Sequence, residues 1–142
     1  MATFTSDKAK TSAARRYSHR GLVIEFATYS GSATLSAGDV VQMVKVPAGA
    51  RVENFTLSTN TLTTSSTGTL SIGDGLNTDR YMASAQPTYT GVTHGAAKNH
   101  AAHGYEYSAD DTVDVRVATV GGDGTANPVI KLTLAYYCDN PS

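Results

Sequence analysis

Short alternations of apolar and polar residues recur along this chain, separated by clusters of Gly, Pro, Ser, Thr, Asn and Asp. That is the signature of half-buried strands joined by turns. Residues 112–118 alternate most cleanly, with Val113, Val115 and Val117 predicted inward and Asp114 and Arg116 outward. Residues 129–137 put Ile130, Leu132, Leu134 and Tyr136 on one face. Residues 51–58 put Val52, Asn54, Thr56 and Ser58 on one side and Glu53, Phe55 and Leu57 on the other, with Phe55 and Leu57 expected in the core. Residues 22–27 form a candidate strand whose core side is read as Leu22, Ile24 and Phe26. Residues 40–46 form another, closed by Pro47, Ala48, Gly49 and Ala50, which is turn chemistry. Residues 68–72 follow, with Leu70 and Ile72 facing one way, then a short strand at 80–83 and a restart at 104–107. About eight strands separated by turns predict an all-β fold: an antiparallel β-sandwich, jelly-roll-like.

The connections read as loops. Residues 59–67 are rich in Thr and Ser, residues 84–103 form a long small-residue loop, and residues 121–124 make a Gly-rich turn. Residues 1–20 show no apolar period and are read as a flexible N-terminal arm, with residues 21–142 as the sandwich domain. A short helix over residues 7–16 fits there, with Ser6 as N-cap and only alanines on its apolar face.

Composition sharpens this picture. At 142 residues the chain is one domain on length. Charged residues make up only 16%, which suits a surface largely covered by other protein. The formal net charge of −1 is unevenly placed, because Lys8, Lys10, Arg15, Arg16 and Arg20 all fall in the arm, against a single acid, Asp7. Cys138 is the single cysteine, so no disulfide within one chain is possible, in keeping with synthesis in a reducing cytoplasm. No apolar run is long enough to span a bilayer, and the basic N-terminus lacks the apolar core of a signal peptide, so no membrane partner is expected.

Candidate chemistry is sparse. His94, His100 and His103 cluster in the long loop, but a Gly/Ala-rich frame is a poor scaffold for a metal, and none is expected. Asp74, Asn77 and Asp79 could offer oxygens to calcium, yet their spacing departs from the EF-hand, and Asx-turn capping accounts for them. Asp110 and Asp111, with Glu106, make an acidic patch, but neighbouring strand residues face opposite ways, against a shared substrate. Cys138 sits beside Asp139, which raises rather than activates a thiol. No nucleophile elbow or phosphate-binding glycine loop is present. The chain reads as a non-enzyme without cofactor. The basic arm suits an acidic protein surface better than nucleic acid, which the acidic remainder of the chain would repel.

One stretch adds a resemblance. Residues 68–83, GTLSIGDGLNTDRYMA, lie downstream of VQMVKVPAGARV at 41–52. This order resembles a pattern in small structural proteins of tailed bacteriophages, and the likeness runs from about Val40 to Tyr137. It implies a decoration or cement protein on the capsid exterior, made in the host cytoplasm and assembled as a homotrimer. Its partner would be the major capsid protein, bridged between neighbouring subunits. Lys8, Lys10, Arg15, Arg16 and Arg20 are the expected contacts of the arm. A second reading is a tail, neck or receptor-binding β-sandwich that stacks sugars on Tyr81, Tyr89, Tyr105, Tyr107, Tyr136 and Tyr137.

Overall fold

A computed structural model describes residues 2–11, 22–60, 68–87, 91–95, 104–119 and 127–138; the side chains of residues 11, 84–87 and 91–95 are left aside. Stretches dense in Val, Ile and Thr form strands, because branched side chains pack well on a pleated, half-buried surface. In chain order the elements are β1 (Thr3–Thr5), α1 (Asp7–Thr11), β2 (Leu22–Ser30), β3 (Val40–Val46), β4 (Ala50–Thr59), β5 (Thr69–Gly73), β6 (Met82–Pro87), β7 (Gly91–Gly95), β8 (Asp111–Thr119) and β9 (Val129–Cys138).

The pairing is nested. β2 pairs with β9, β3 with β8, β4 with β7 and β5 with β6, all antiparallel. The first half of the chain therefore runs against the second half as one long ribbon. Two more antiparallel contacts, β4 with β9 and β5 with β8, roll that ribbon over itself. The result is a sheet of order β2-β9-β4-β7 facing one of order β1-β3-β8-β5-β6. This is the expected sandwich, with the strand order of a jelly roll. Strand β1 was not foreseen; it adds to the edge of β3 in parallel.

The core lies between the sheets, and most of its predicted members are there. Phe55, Leu57, Leu70, Ile72, Val113, Val115, Val117, Leu132 and Leu134 are all buried. Three are not. Leu22, Ile24 and Phe26 are 44%, 60% and 51% exposed, while Val23, Ala27 and Tyr29 of the same strand are buried. The expected faces of β2 are inverted. In β4 the strict alternation fails as well. A bulge between Val52 and Asn54 resets the register against β9, so that Val52 turns inward with Phe55 and Leu57. In β8, Asp114 keeps the face opposite Val113 and Val115, yet it is buried. The expected loop at 84–103 contributes most of β6 and all of β7, whereas residues 105–107 belong to no strand.

The arm also divides. Residues 12–20 lie outside the described residues, but residues 2–11 are packed on the sandwich rather than free. Val40 N–H donates to Ala2 O at 2.8 Å, Ser6 N–H to Gln42 O at 2.8 Å, and Ala2 N–H to Asp39 Oδ1 at 2.9 Å. The predicted cap is present: Ala9 N–H donates to Ser6 Oγ at 3.1 Å, and the buried hydroxyl itself donates to Met43 O. The helix spans Asp7–Thr11 among the described residues and buries Ala9. Phe4 packs on Tyr29 with ring centres 5.7 Å apart. These contacts tie the N-terminal segment to β3 and β2, at the edges of the two sheets. Because Ser6 both caps α1 and fastens it to β3, Ser6→Ala should cost about 1–2 kcal/mol, the upper part of the range for a cap. Urea denaturation checks this, and an unchanged midpoint would show that the segment is not held through Ser6.

Candidate functional site

The loop between β5 and β6 carries the densest polar chemistry among the described residues. It begins at Gly73, where a side chain has no room: an added Cβ would lie 2.1 Å from Asn77 O and 2.4 Å from the Thr78 carbonyl carbon. Asp74 follows, buried, and gathers the loop around one carboxylate. Its Oδ1 accepts from Leu76 N–H at 3.0 Å and Asn77 N–H at 2.9 Å, the Asx-turn bonds anticipated from sequence. Its Oδ2 accepts from Arg80 Nε at 2.5 Å and from the Tyr107 hydroxyl at 3.0 Å. The Tyr81 hydroxyl donates in turn to Tyr107 at 2.8 Å. The Arg80 guanidinium lies 3.6 Å above the centre of the Tyr105 ring, and Tyr105 meets Tyr107 edge to face at 5.1 Å. The backbone of Tyr107 is fixed as well, bonding Ala50 O at 3.0 Å and receiving Gly49 N–H at 2.7 Å.

The electrostatics follow from this packing. Burial alone would raise the Asp74 carboxyl. Hydrogen bonds from Arg80, the Asn77 backbone and Tyr107, with the Arg80 charge, outweigh it and hold Asp74 below the ordinary carboxylate value. Tyr107 and Tyr81 are both pushed up, first by burial. The cluster is thus a neutral-pH ion pair ringed by protonated phenols. It brings no attacking group to a substrate; its geometry is that of a pin joining the β5–β6 loop to the segment before β8. Leu76, 81% exposed, stands at the tip of the loop so braced.

A second buried carboxylate lies close by. Asp114 is pushed up to about 7, first by burial and then by the charges of Asp111 and Asp74, against a hydrogen bond from Thr112 Oγ1 at 2.7 Å. A folded-state value raised above the unfolded one of about 3.9 favours the protonated form. Its stability contribution is full below pH 4 and is lost as pH rises through 7. Asp114→Asn should therefore be more stable than the wild type at pH 8, by on the order of 4 kcal/mol. The difference should vanish toward pH 4. Thermal melts across that range check it, and parallel curves for the two proteins would show that Asp114 stays ionised at no cost.

The remaining candidates fall as follows. His94 lies in β7, opposite Thr56, whereas His100 and His103 lie outside the described residues. Asn77 and Asp79 serve the turn, Asp79 N–H donating to Asn77 Oδ1 at 3.3 Å. Asp110 and Asp111 accept backbone N–H groups of Ala48 and Thr112, so the acidic patch is turn capping. Among the described residues, no group of three His, Cys, Asp or Glu side chains is arranged to hold a metal. Cys138 is buried, its thiol donating to Ala48 O at 3.9 Å. Among the described residues the tyrosines do not assemble a sugar platform: Tyr81, Tyr107 and Tyr136 are buried, Tyr105 is covered by Arg80, and Tyr137 is exposed, while Tyr89 is outside the described residues. Lys8 and Lys10 ride on α1, with Lys8 Nζ 3.9 Å from Glu25, whereas Arg15, Arg16 and Arg20 are outside the described residues.

Sequence reasoning missed the second feature, an apolar stripe on the outer face of the four-stranded sheet. Leu22, Ile24 and Phe26 line it on β2, and the register sets Tyr137 beside Leu22 and Ala135 beside Ile24. The inverted alternation of β2 was the signal, since its larger apolar residues share a side opposite Glu25.

No protein-family model matches the chain, and no curated protein sequence does. Solved structures do share its fold. A chain in the capsid of Ralstonia phage GP4 superposes with a TM-score of 0.80 at 20% identity, over 99% of both chains. A chain of the capsid asymmetric unit of cyanophage Pam1 gives 0.60 at 19% identity, over 89% of this chain and 91% of that one. One from the acidic stable capsid structure of Helicobacter pylori bacteriophage KHP30 gives 0.51 at 18% identity, over 87% and 94%. The jelly roll of this chain is therefore a fold found in phage capsids.

Proposed function

We propose that this chain is a non-enzymatic structural protein of a tailed-phage virion that decorates or cements the capsid exterior by bridging neighbouring major capsid proteins. The observation that carries this reading is the end-to-end likeness to a chain of a phage capsid, over 99% of both chains. The polar cluster points the same way. Asp74, Arg80 and Tyr107 spend their chemistry on holding a loop rigid, as an assembly protein needs, rather than on a substrate. The physical work is to add buried interface across capsid joints. Many symmetry-related copies turn a modest contact at each site into a large total stabilisation.

The partner is the major capsid protein, made in the same host cytoplasm. Attachment uses the basic residues of the N-terminal region. Arg15, Arg16 and Arg20 offer guanidinium forks to carboxylates on the capsid, and Lys8 and Lys10 extend the same positive field from the surface of α1. Co-sedimentation with heads stripped of this protein tests the reading. Wild-type protein should load the heads to saturation. A variant with Arg15, Arg16 and Arg20 all changed to Ala should load less, and the deficit should shrink at high salt, where the wild type also weakens. Failure of the wild type to bind at any salt concentration would remove the proposal.

A further inference from the structure

The braced loop between β5 and β6 ends in water. Leu76 at its tip is the most exposed large apolar side chain among the described residues. A lone leucine at a surface is ordinary. What sets this one apart is how firmly its backbone is held. Its own N–H donates to the buried Asp74 carboxylate at 3.0 Å. Asp74 N–H donates to Asn77 O at 2.9 Å, and the buried Ser71 hydroxyl donates to Thr78 O at 2.9 Å, so the chain on both sides of the tip is tied down as well. Asp74 is in turn gripped by Arg80 and Tyr107. A side chain presented on so fixed a turn loses little backbone freedom when a partner covers it.

The surface around this loop is acidic. Asp79 on the loop, and Glu106 and Asp110 on the segment before β8, are exposed. Asp111 Oδ1 stands 3.7 Å from where a Cβ on Gly75 would lie. Arg80 and Asp74 cancel each other inside. Against those four carboxylates the adjoining ends of β3 and β4 bring two cations, Lys45 and Arg51, which leaves this end of the sandwich negative. The loop also lies at the opposite edge of its sheet from the N-terminal segment. In the order β1-β3-β8-β5-β6, β1 closes one edge and β6 the other.

We infer that Leu76 is a docking peg that enters an apolar pocket rimmed by Lys or Arg on the major capsid protein. The inference rests on the virion reading above and deepens it by assigning the contact. An apolar centre inside a polar rim is the usual build of a protein interface. The charge of the rim selects the surface that receives it: a negative end is drawn to cations and repelled by the same end of a second copy. The basic N-terminal segment, at the other edge of the sheet, is left to reach carboxylates on a different neighbour. One molecule then carries two unlike contacts at two separate edges, as a bridge between subunits requires.

Loading of the full-length protein onto heads stripped of it tests the inference. Leu76→Asp should weaken loading roughly 10- to 100-fold, the worth of one leucine taken out of water. Its melting temperature should stay within about 2 °C of the wild type, because the side chain stands in water in the free protein. Asp79→Lys keeps the turn, whose bond comes from the backbone N–H of residue 79, and should also weaken loading. Leu76→Cys carrying a benzophenone should crosslink to the major capsid protein on illumination, the buried Cys138 leaving the label to position 76. Undiminished loading of Leu76→Asp, tighter loading of Asp79→Lys, or a crosslink to a second copy or to nothing would overturn the inference and leave the virion reading standing. A wild type that loads at no salt concentration would remove that reading, and the inference with it.

Discussion

Arg80→Ala should lower stability by about 3–5 kcal/mol, because it strands a buried carboxylate. Asp74 is 1% exposed, and Arg80 is the cation that neutralises it. With the guanidinium gone, Asp74 must hold its charge with only the loop N–H groups and the Tyr107 hydroxyl, and Tyr105 loses the group stacked on its ring. For a domain of this size each kcal/mol moves the melting temperature by about 2–4 °C, so a fall on the order of 10–15 °C is expected. Arg80→Lys should recover little of it, since an ammonium can neither fork onto the carboxylate nor stack flat on the ring. Replacing Asp74 and Arg80 together by Ala should cost less than the two single changes summed, by about 1–3 kcal/mol. Denaturant titration of the four proteins gives the cycle directly. Additive losses, or a loss below 1 kcal/mol for Arg80→Ala, would show that water screens the pair.

The second large effect belongs to the core. Phe55→Ala should cost about 3–5 kcal/mol, from lost transfer energy and the cavity left between the sheets. Phe55 is 2% exposed, with Leu57 beside it on β4 and Leu134 opposite it on β9. Phe26→Ala removes the same side chain from a strand of the same sheet, yet at high dilution it should cost under about 1 kcal/mol, because that ring is half in water. The two urea midpoints, measured side by side, decide which face of β2 is inside. The reverse order would restore the face read from the sequence.

That inversion shows where the sequence was legible and where it was not. Alternation alone located β8 and β9 and put the right valines and leucines inside, because both strands are central in their sheets and obey one rule throughout. It failed on β2 because a strand has two faces and hydrophobicity picks the greasier one. Here the greasier side, Leu22, Ile24 and Phe26, points away from the core, and Val23, Ala27 and Tyr29 point in. The rule that apolar residues go inside runs one way only, and an apolar residue at the surface does not break it. β4 failed for a local reason: one bulged residue shifts the phase of everything before it. Most of β6 and all of β7 were read as loop because both strands lie at sheet edges, where backbone pairing asks little of the side chains.

The braced loop was half legible. The Gly73, Asp74 and Asn77 cluster announced a turn, and the carboxylate bonds to Leu76 and Asn77 are those the turn requires. The ion pair with Arg80 was not legible because it needs the loop to fold its own end back onto Asp74, and the bond from Tyr107 was not because that segment lies about 30 residues away. The burial of Asp114 has the same kind of origin, in neighbours that alternation does not register. The helix cap at Ser6 was legible because capping is local. The docking of residues 2–6 on the β3 edge was not, because strand pairing through the backbone leaves almost no trace in three residues of sequence.

The central claim is that this chain is a repeating structural part of a phage head. Quantitative mass spectrometry of purified virions tests it most directly, with this chain counted against the major capsid protein in the same particles. The account predicts a copy number comparable to that of the major capsid protein. Absence from the particle, or only a handful of copies in each, would contradict it.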